Sequence, residues 1–202
     1  GCRVIRVPWN YELAIKNYEL RIMNYGIDGI VISNGPGDPT KCDQTIEQIR
    51  KIITMKQCSN ETMPILGICL GNQILALAAG AKTYKLKYGH RGQNQPVIIL
   101  NLKSKILNLK LKTKNYQTSK ANYQLPITNY QNAFITSQNH GFAVDEKTLP
   151  DGWRVWFKNL NDGTVEGICH CKKPWLAAQF HPEAAPGPAD TEWIFDMFYS
   201  AC

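Results

Sequence analysis

The sequence predicts an α/β fold: an open, mixed and mainly parallel central sheet with flanking helices. Two observations carry this. Short apolar runs alternate with longer amphipathic stretches through the first half of the 202-residue chain, the pattern of a parallel sheet with covering helices. The second half then carries strand-like runs with no helical stretch between them, which predicts antiparallel strands completing the sheet.

In order, the expected elements are a strand at 3–7, a helix near 11–20, a strand at 28–32, a helix at 43–56, a strand at 64–68 and a helix at 71–80. Strands at 96–100, 133–137, 153–158, 164–170 and 175–180 and a helix near 190–200 follow. Between the second strand and the helix at 43–56 lies Ser33-Asn-Gly-Pro-Gly-Asp-Pro39, whose two glycines and two prolines forbid regular structure and force a fixed turn. Ligands of open α/β sheets bind at such strand ends.

Composition narrows the function classes. A hydrophobic fraction of 44% suits one compact domain, and no apolar run approaches the roughly 18–20 residues of a membrane-spanning helix. The start, Gly1-Cys-Arg-Val, has the look of a fragment and carries no signal-peptide pattern. Seven cysteines, an odd number without regular spacing, favour a reducing compartment, so a cytoplasmic location is expected.

The net charge of +7 raises the question of a nucleic-acid partner. Six of the 23 Lys and Arg residues fall within 101–132, which holds no Asp or Glu, leaving 17 basic against 16 acidic residues elsewhere. In that segment Asn101, Asn108, Asn115, Asn122 and Asn129 recur every seven residues. Pro126 and the polar second stripe argue against a coiled coil, and a surface loop lengthened by repeat expansion fits better. Neither a nucleic-acid nor a membrane partner is expected.

Chemistry concentrates at Pro64-Ile-Leu-Gly-Ile-Cys69-Leu-Gly-Asn-Gln73, a cysteine between an apolar strand and an Ala/Leu-rich helix with glycines at 67 and 71. This is a nucleophile-elbow pattern with Cys in place of Ser. The following helix N-terminus favours a thiolate and offers backbone donors. A strand-borne cysteine is as often core, so the decision rests on a base elsewhere. Phe180-His181-Pro182-Glu183 supplies one: an imidazole at a strand end with a carboxylate two residues on to orient it. His90 and His140 are expected in glycine-rich loops. Cys169-His170-Cys171 lacks zinc spacing and a second ligand cluster, so no metal is expected.

Together, Ser33–Pro39, Gly67–Gln73 and His181–Glu183 resemble the class I, triad-type glutamine amidotransferases. Lys87-Tyr-Gly-His-Arg-Gly-Gln-Asn-Gln-Pro96, Ser137-Gln-Asn-His-Gly-Phe-Ala-Val144 and the run to Pro188 are similar to the glutaminase part of carbamoyl phosphate synthetases. The resemblance implies a flavodoxin-like domain over 1–202 carrying an insertion at 101–132, with the family's first strand and helix expected before Gly1. It implies Cys69 as nucleophile, His181 as general acid and base, Glu183 as its orienter, and the Gly37 and Leu70 amides as oxyanion hole. Gly35, Gly37, Leu70, Gln73, Asn139, Gly141 and Phe142 would grip glutamine. The domain itself would need no cofactor; ATP and Mg would belong to a synthetase partner, fused or separate. Anthranilate- or GMP-type synthetases and a non-catalytic regulatory role are the alternatives.

Overall fold

The computed structural model describes residues 2–13, 26–55, 62–100 and 133–202. Its strands are β1 (Ile30–Ile32), β2 (Ile65–Ile68), β3 (Thr83–Ile99), β4 (Ala133–Val144), β5 (Trp153–Asn159), β6 (Val165–His170) and β7 (Trp175–Ala178). Its helices are α1 (Asp43–Thr54), α2 (Leu70–Ala79) and α3 (Trp193–Ala201).

The strand order is β1-β2-β7-β6-β4-β3-β5, with β5 also pairing β6. The mixed α/β architecture is as expected. Its mainly parallel, open character is not what the described strands show. β1–β2 and β2–β7 are parallel, whereas the ladders joining β3, β4, β5, β6 and β7 are antiparallel. The cause is topological: a parallel neighbour needs a crossover, usually an α-helix, and among the described residues no α-helix lies between β4 and β7, only a single 3-10 turn at Glu146–Thr148. The additional β5–β6 pairing closes β6, β4, β3 and β5 into a ring.

Two cores lie on opposite faces of the parallel portion. Ile65 packs with Ile46, Ile49, Ile52, Ile74 and Leu75 under α1 and α2. Its neighbour Leu66 points the other way, towards Ile68, Trp156, Phe157, Phe180 and Ile194 of α3, as strand alternation requires. Residues 46, 49 and 52 share one α1 face, and the Glu47–Lys51 pair sits on its exposed side at 2.9 Å. Arg50 reaches from α1 to the carbonyls of Leu77 (3.1 Å) and Ala78 (3.3 Å) at the C-terminus of α2. A cation there meets the negative end of the helix.

Two expectations from the sequence are corrected. Residues 3–7 form no strand: Val4, Ile5 and Val7 are exposed, and no described ladder includes them. The strand expected at 96–100 begins at Thr83, and β4 runs on to Val144, so His90 and His140 are strand residues paired with each other rather than loop residues. The helix expected near 11–20 leaves Tyr11–Leu13 non-helical and otherwise lies, like the 101–132 segment, outside the described residues.

Candidate active site

Cys69 joins β2 to α2 at φ 54°, ψ −103°, and among the described residues it is the only non-glycine with positive φ. Such a conformation costs on the order of 1–3 kcal/mol and persists only where its surroundings enforce it. Here the Cys69 N–H donates to the Ala178 carbonyl at 2.8 Å, and its carbonyl accepts from Asn72 N–H at 3.1 Å. The flanking glycines allow the turn. A Cβ on Gly67 would meet the Gly71 carbonyl oxygen at 2.6 Å, and one on Gly71 would drive into the Ile32 carbonyl of β1.

The sulfur makes no capping bond to α2 and faces the Asn139 carbonyl on β4 at 3.9 Å. As the first residue of α2, Leu70 presents an N–H with no intrahelical acceptor beside that sulfur. The 33–39 turn closes over the same point: a Cβ on Gly35 would touch the Leu70 side chain at 2.8 Å. Gly37 follows at φ +97°, with open space where a side chain would be.

His181 lies just beyond β7, its N–H bonded to the Ser137 carbonyl of β4 at 2.9 Å. Its Nδ1 and Glu183 Oε1 are 2.8 Å apart. A hydrogen bond with Cys69, then the one with Glu183, push the imidazole up to about 10 despite partial burial. Burial pulls Glu183 upward, but the His181 hydrogen bond, its own backbone amide and the imidazolium charge together hold it below the ordinary value. An imidazolium beside a cysteine sulfur is the arrangement that supports a thiolate nucleophile at neutral pH.

Other sequence-selected residues surround this centre. Gln73 is buried and donates through Nε2 to the Phe142 carbonyl at 3.0 Å and to Gln179 Oε1 at 3.1 Å. Asn139 is exposed, and Gly141 has open space over its Cα. Gln179, absent from the sequence reading, places Nε2 3.8 Å from the Cys69 sulfur while fully buried. The available signal was a single amide inside the apolar run Trp175–Phe180.

On β3, β4 and β6, His90, His140 and Glu166 bring ligand atoms within 4.8 Å of one another. His90 lies 3.0 Å from Glu166 and 2.9 Å from Asp162, and the Glu166 bond chiefly lifts it to about 9 against its burial. Both of its ring nitrogens are engaged by carboxylates, Nδ1 by Glu166 and Nε2 by Asp162. Cys169, His170 and Cys171 do not converge. Cys169 is buried with its thiol pushed up to about 12, His170 Nδ1 accepts from the Lys172 and Lys173 amides, and Cys171 accepts from Arg154. Among the described residues, no helix is long and apolar enough to cross a membrane.

Residues 1–201 match the family described as glutamine amidotransferase class-I. The chain belongs to this family. The carbamoyl phosphate synthase small chain of Pyrococcus furiosus is 43% identical over 198 residues, covering 98% of this amidotransferase chain and 43% of that protein. Human mitochondrial carbamoyl-phosphate synthase (ammonia) is 44% identical over 200 residues, covering 99% of this chain and 10% of that protein. The amidotransferase chain therefore spans less than half the length of these relatives. A solved glutamine amidotransferase from Thermotoga maritima shares the fold at TM-score 0.56 and 19% identity, covering 91% of this chain and 67% of that one.

Proposed function

We propose that this amidotransferase domain hydrolyses glutamine to glutamate and ammonia through a thioester on Cys69, and that the ammonia feeds a carbamoyl phosphate synthetase, fused or separate. The observation that carries the reading is the Cys69 elbow with the His181 imidazole hydrogen-bonded to its sulfur and a carboxylate 2.8 Å behind that imidazole.

Cys69 attacks the side-chain carboxamide carbon, and the Gly37 and Leu70 amides receive the developing oxyanion. The tetrahedral adduct collapses as His181 protonates the departing nitrogen, releasing ammonia and leaving a γ-glutamyl thioester. His181, now neutral, takes a proton from water, which attacks the thioester carbonyl. Sulfur leaves, glutamate departs, and the imidazolium–thiolate pair returns. Glu183 holds the ring orientation throughout.

Gly35, Gln73, Asn139, Gly141 and Phe142 complete the glutamine site, with the Gln73 carbonyl oxygen and β4 backbone groups as its polar contacts. The domain uses no cofactor; ATP and Mg serve the synthetase. Carbamoyl phosphate as destination rests on identities of 43% and 44% to carbamoyl phosphate synthases. A reducing, cytoplasmic setting fits six described cysteines that are all free. The 101–132 insertion and the single-domain extent 1–202 belong to this same reading.

A second reading has its own observation. The human relative is named for ammonia, which favours a domain of this lineage that binds without hydrolysing. The full-length protein separates them: glutamine-dependent release of glutamate, abolished by Cys69→Ser in a folded protein, supports hydrolysis. Glutamate release that survives the substitution, or none from the wild type, sinks it.

A further inference from the structure

Gln179 has no part in the triad, yet the orientation of its amide is fixed by its hydrogen-bond partners. The chain of reasoning starts at a backbone carbonyl, whose polarity is beyond dispute. Phe142 O accepts from Gln73 at 3.0 Å, so the Gln73 atom there is the NH2 nitrogen. That same nitrogen donates to Gln179 at 3.1 Å, and Asn72 Nδ2 donates to the same Gln179 atom at 3.0 Å, which makes it the oxygen. The opposite end of the Gln179 amide is therefore NH2, and it faces the Cys69 sulfur at 3.8 Å. Gln179 and Asn72 are both completely buried, so no water competes for these groups.

Resting on the reading of Cys69 as nucleophile, we propose that Gln179 is a further catalytic residue: Asn72 and Gln73 lock its amide so that an N–H points at Sγ and stabilises the thiolate. An N–H at this position discriminates between the two sulfur states, because hydrogen bonds to a charged acceptor are about twice as strong as neutral ones. The other groups around the sulfur are His181 with Glu183 behind it, the amide end of α2, and the Asn139 carbonyl of β4. That carbonyl offers only negative potential, which leaves His181, the helix end and Gln179 as the stabilising contributors. The amide also stays beside the sulfur through the thioester stage, when His181 is neutral, and is in place when the sulfur leaves as a thiolate.

The test is the pH dependence of Cys69 alkylation by iodoacetamide, read by mass spectrometry on the Cys69 peptide of the full-length protein without glutamine. Gln179→Met keeps the volume and removes the donor. The thiolate midpoint should move up by about one pH unit, a tenfold fall in the acid dissociation constant of the Cys69 thiol, and kcat should fall with it. A packing role alone would lower the melting temperature without moving that midpoint. An unchanged midpoint in the folded variant overturns the proposal. Should Gln179→Met fail to fold, Asn72→Leu releases one of the two locks without touching sulfur, and should give a smaller shift in the same direction; no shift there also overturns it. The parent reading fails separately, through a wild-type protein that is alkylated normally but makes no glutamate.

Discussion

Gly71→Ala puts the elbow itself under test. A Cβ at position 71 collides with the Ile32 carbonyl oxygen of β1, lies 2.8 Å from the Ile32 carbonyl carbon and 3.1 Å from its Cβ. Two of these are backbone atoms of a strand held by the β1–β2 ladder, so neither can rotate away. Restoring ordinary contact at 3.4 Å or beyond requires the start of α2 to retreat from β1 by more than about 1 Å. Helix propensity alone would make alanine better than glycine by about 1 kcal/mol. Overpacking costs about 1–3 kcal/mol, so the net effect is destabilising by up to about 2 kcal/mol. Because Cys69 is the residue before α2, the same displacement misplaces the sulfur and the Leu70 amide, and an error of about 1 Å at a reacting centre costs roughly 100-fold in rate. Glutaminase kcat and urea unfolding on the same preparation check both halves. A Gly71→Ala protein as stable as wild type, with kcat within twofold, would refute the elbow geometry.

Gly141→Ala is the complementary case: nothing lies within 4 Å of its would-be Cβ, so unfolding should be unchanged while KM for glutamine rises about tenfold or more; an unaltered KM removes Gly141 from the substrate site. Glu183→Gln should lower kcat about 10–100-fold, the equivalent of a charge-assisted hydrogen bond of roughly 1.5–3 kcal/mol, and pull His181 down from about 10, readable by NMR titration of the ring. His90 supplies a pH test of stability. Its value of about 9 in the fold lies above its ordinary 6.5, so the contribution is complete below 6.5 and disappears as pH climbs through 9. The loss is on the order of 3 kcal/mol at most, and less in practice because Asp162 is 45% exposed. The difference in urea midpoint between wild type and His90→Gln should shrink across that window; a pH-independent difference contradicts the buried ion pair.

The parallel portion of the fold was legible in the sequence because β1, α1, β2 and α2 each carry their own period. Pro64 precedes the apolar run of β2, Gly80 ends α2, and the isoleucines of α1 mark one face. The long β3 and β4 were not, because Lys87–Gln95 is rich in Gly, Asn and Gln, which read as a loop. What keeps these residues extended is pairing across the ladder, His90 with His140 and Arg91 with Asn139, interrupted by register shifts that local propensity does not encode. Residues 3–7 failed in the opposite sense: Val4, Ile5 and Val7 suit a strand, yet no described neighbour pairs with them.

At the site, Cys69, His181 and Glu183 could be picked out because strand ends and a two-residue spacing are visible locally. Gln179 could not, since its meaning lies in Asn72 and Gln73, more than 100 positions away. The same holds for the Asp162–His90–Glu166 chain, assembled from β3, β6 and the turn before β6. Buried polar networks are long-range objects, and one sequence does not reveal which amides converge.

The central claim is that Cys69 becomes acylated by glutamine. Rapid acid quenching of the full-length protein during turnover, followed by peptide mass spectrometry, measures this directly. The account predicts a γ-glutamyl adduct on the Cys69 peptide that disappears with hydroxylamine and is missing in Cys69→Ser. Glutamate formation at the wild-type rate with no adduct on Cys69, or with the adduct on another residue, would contradict it.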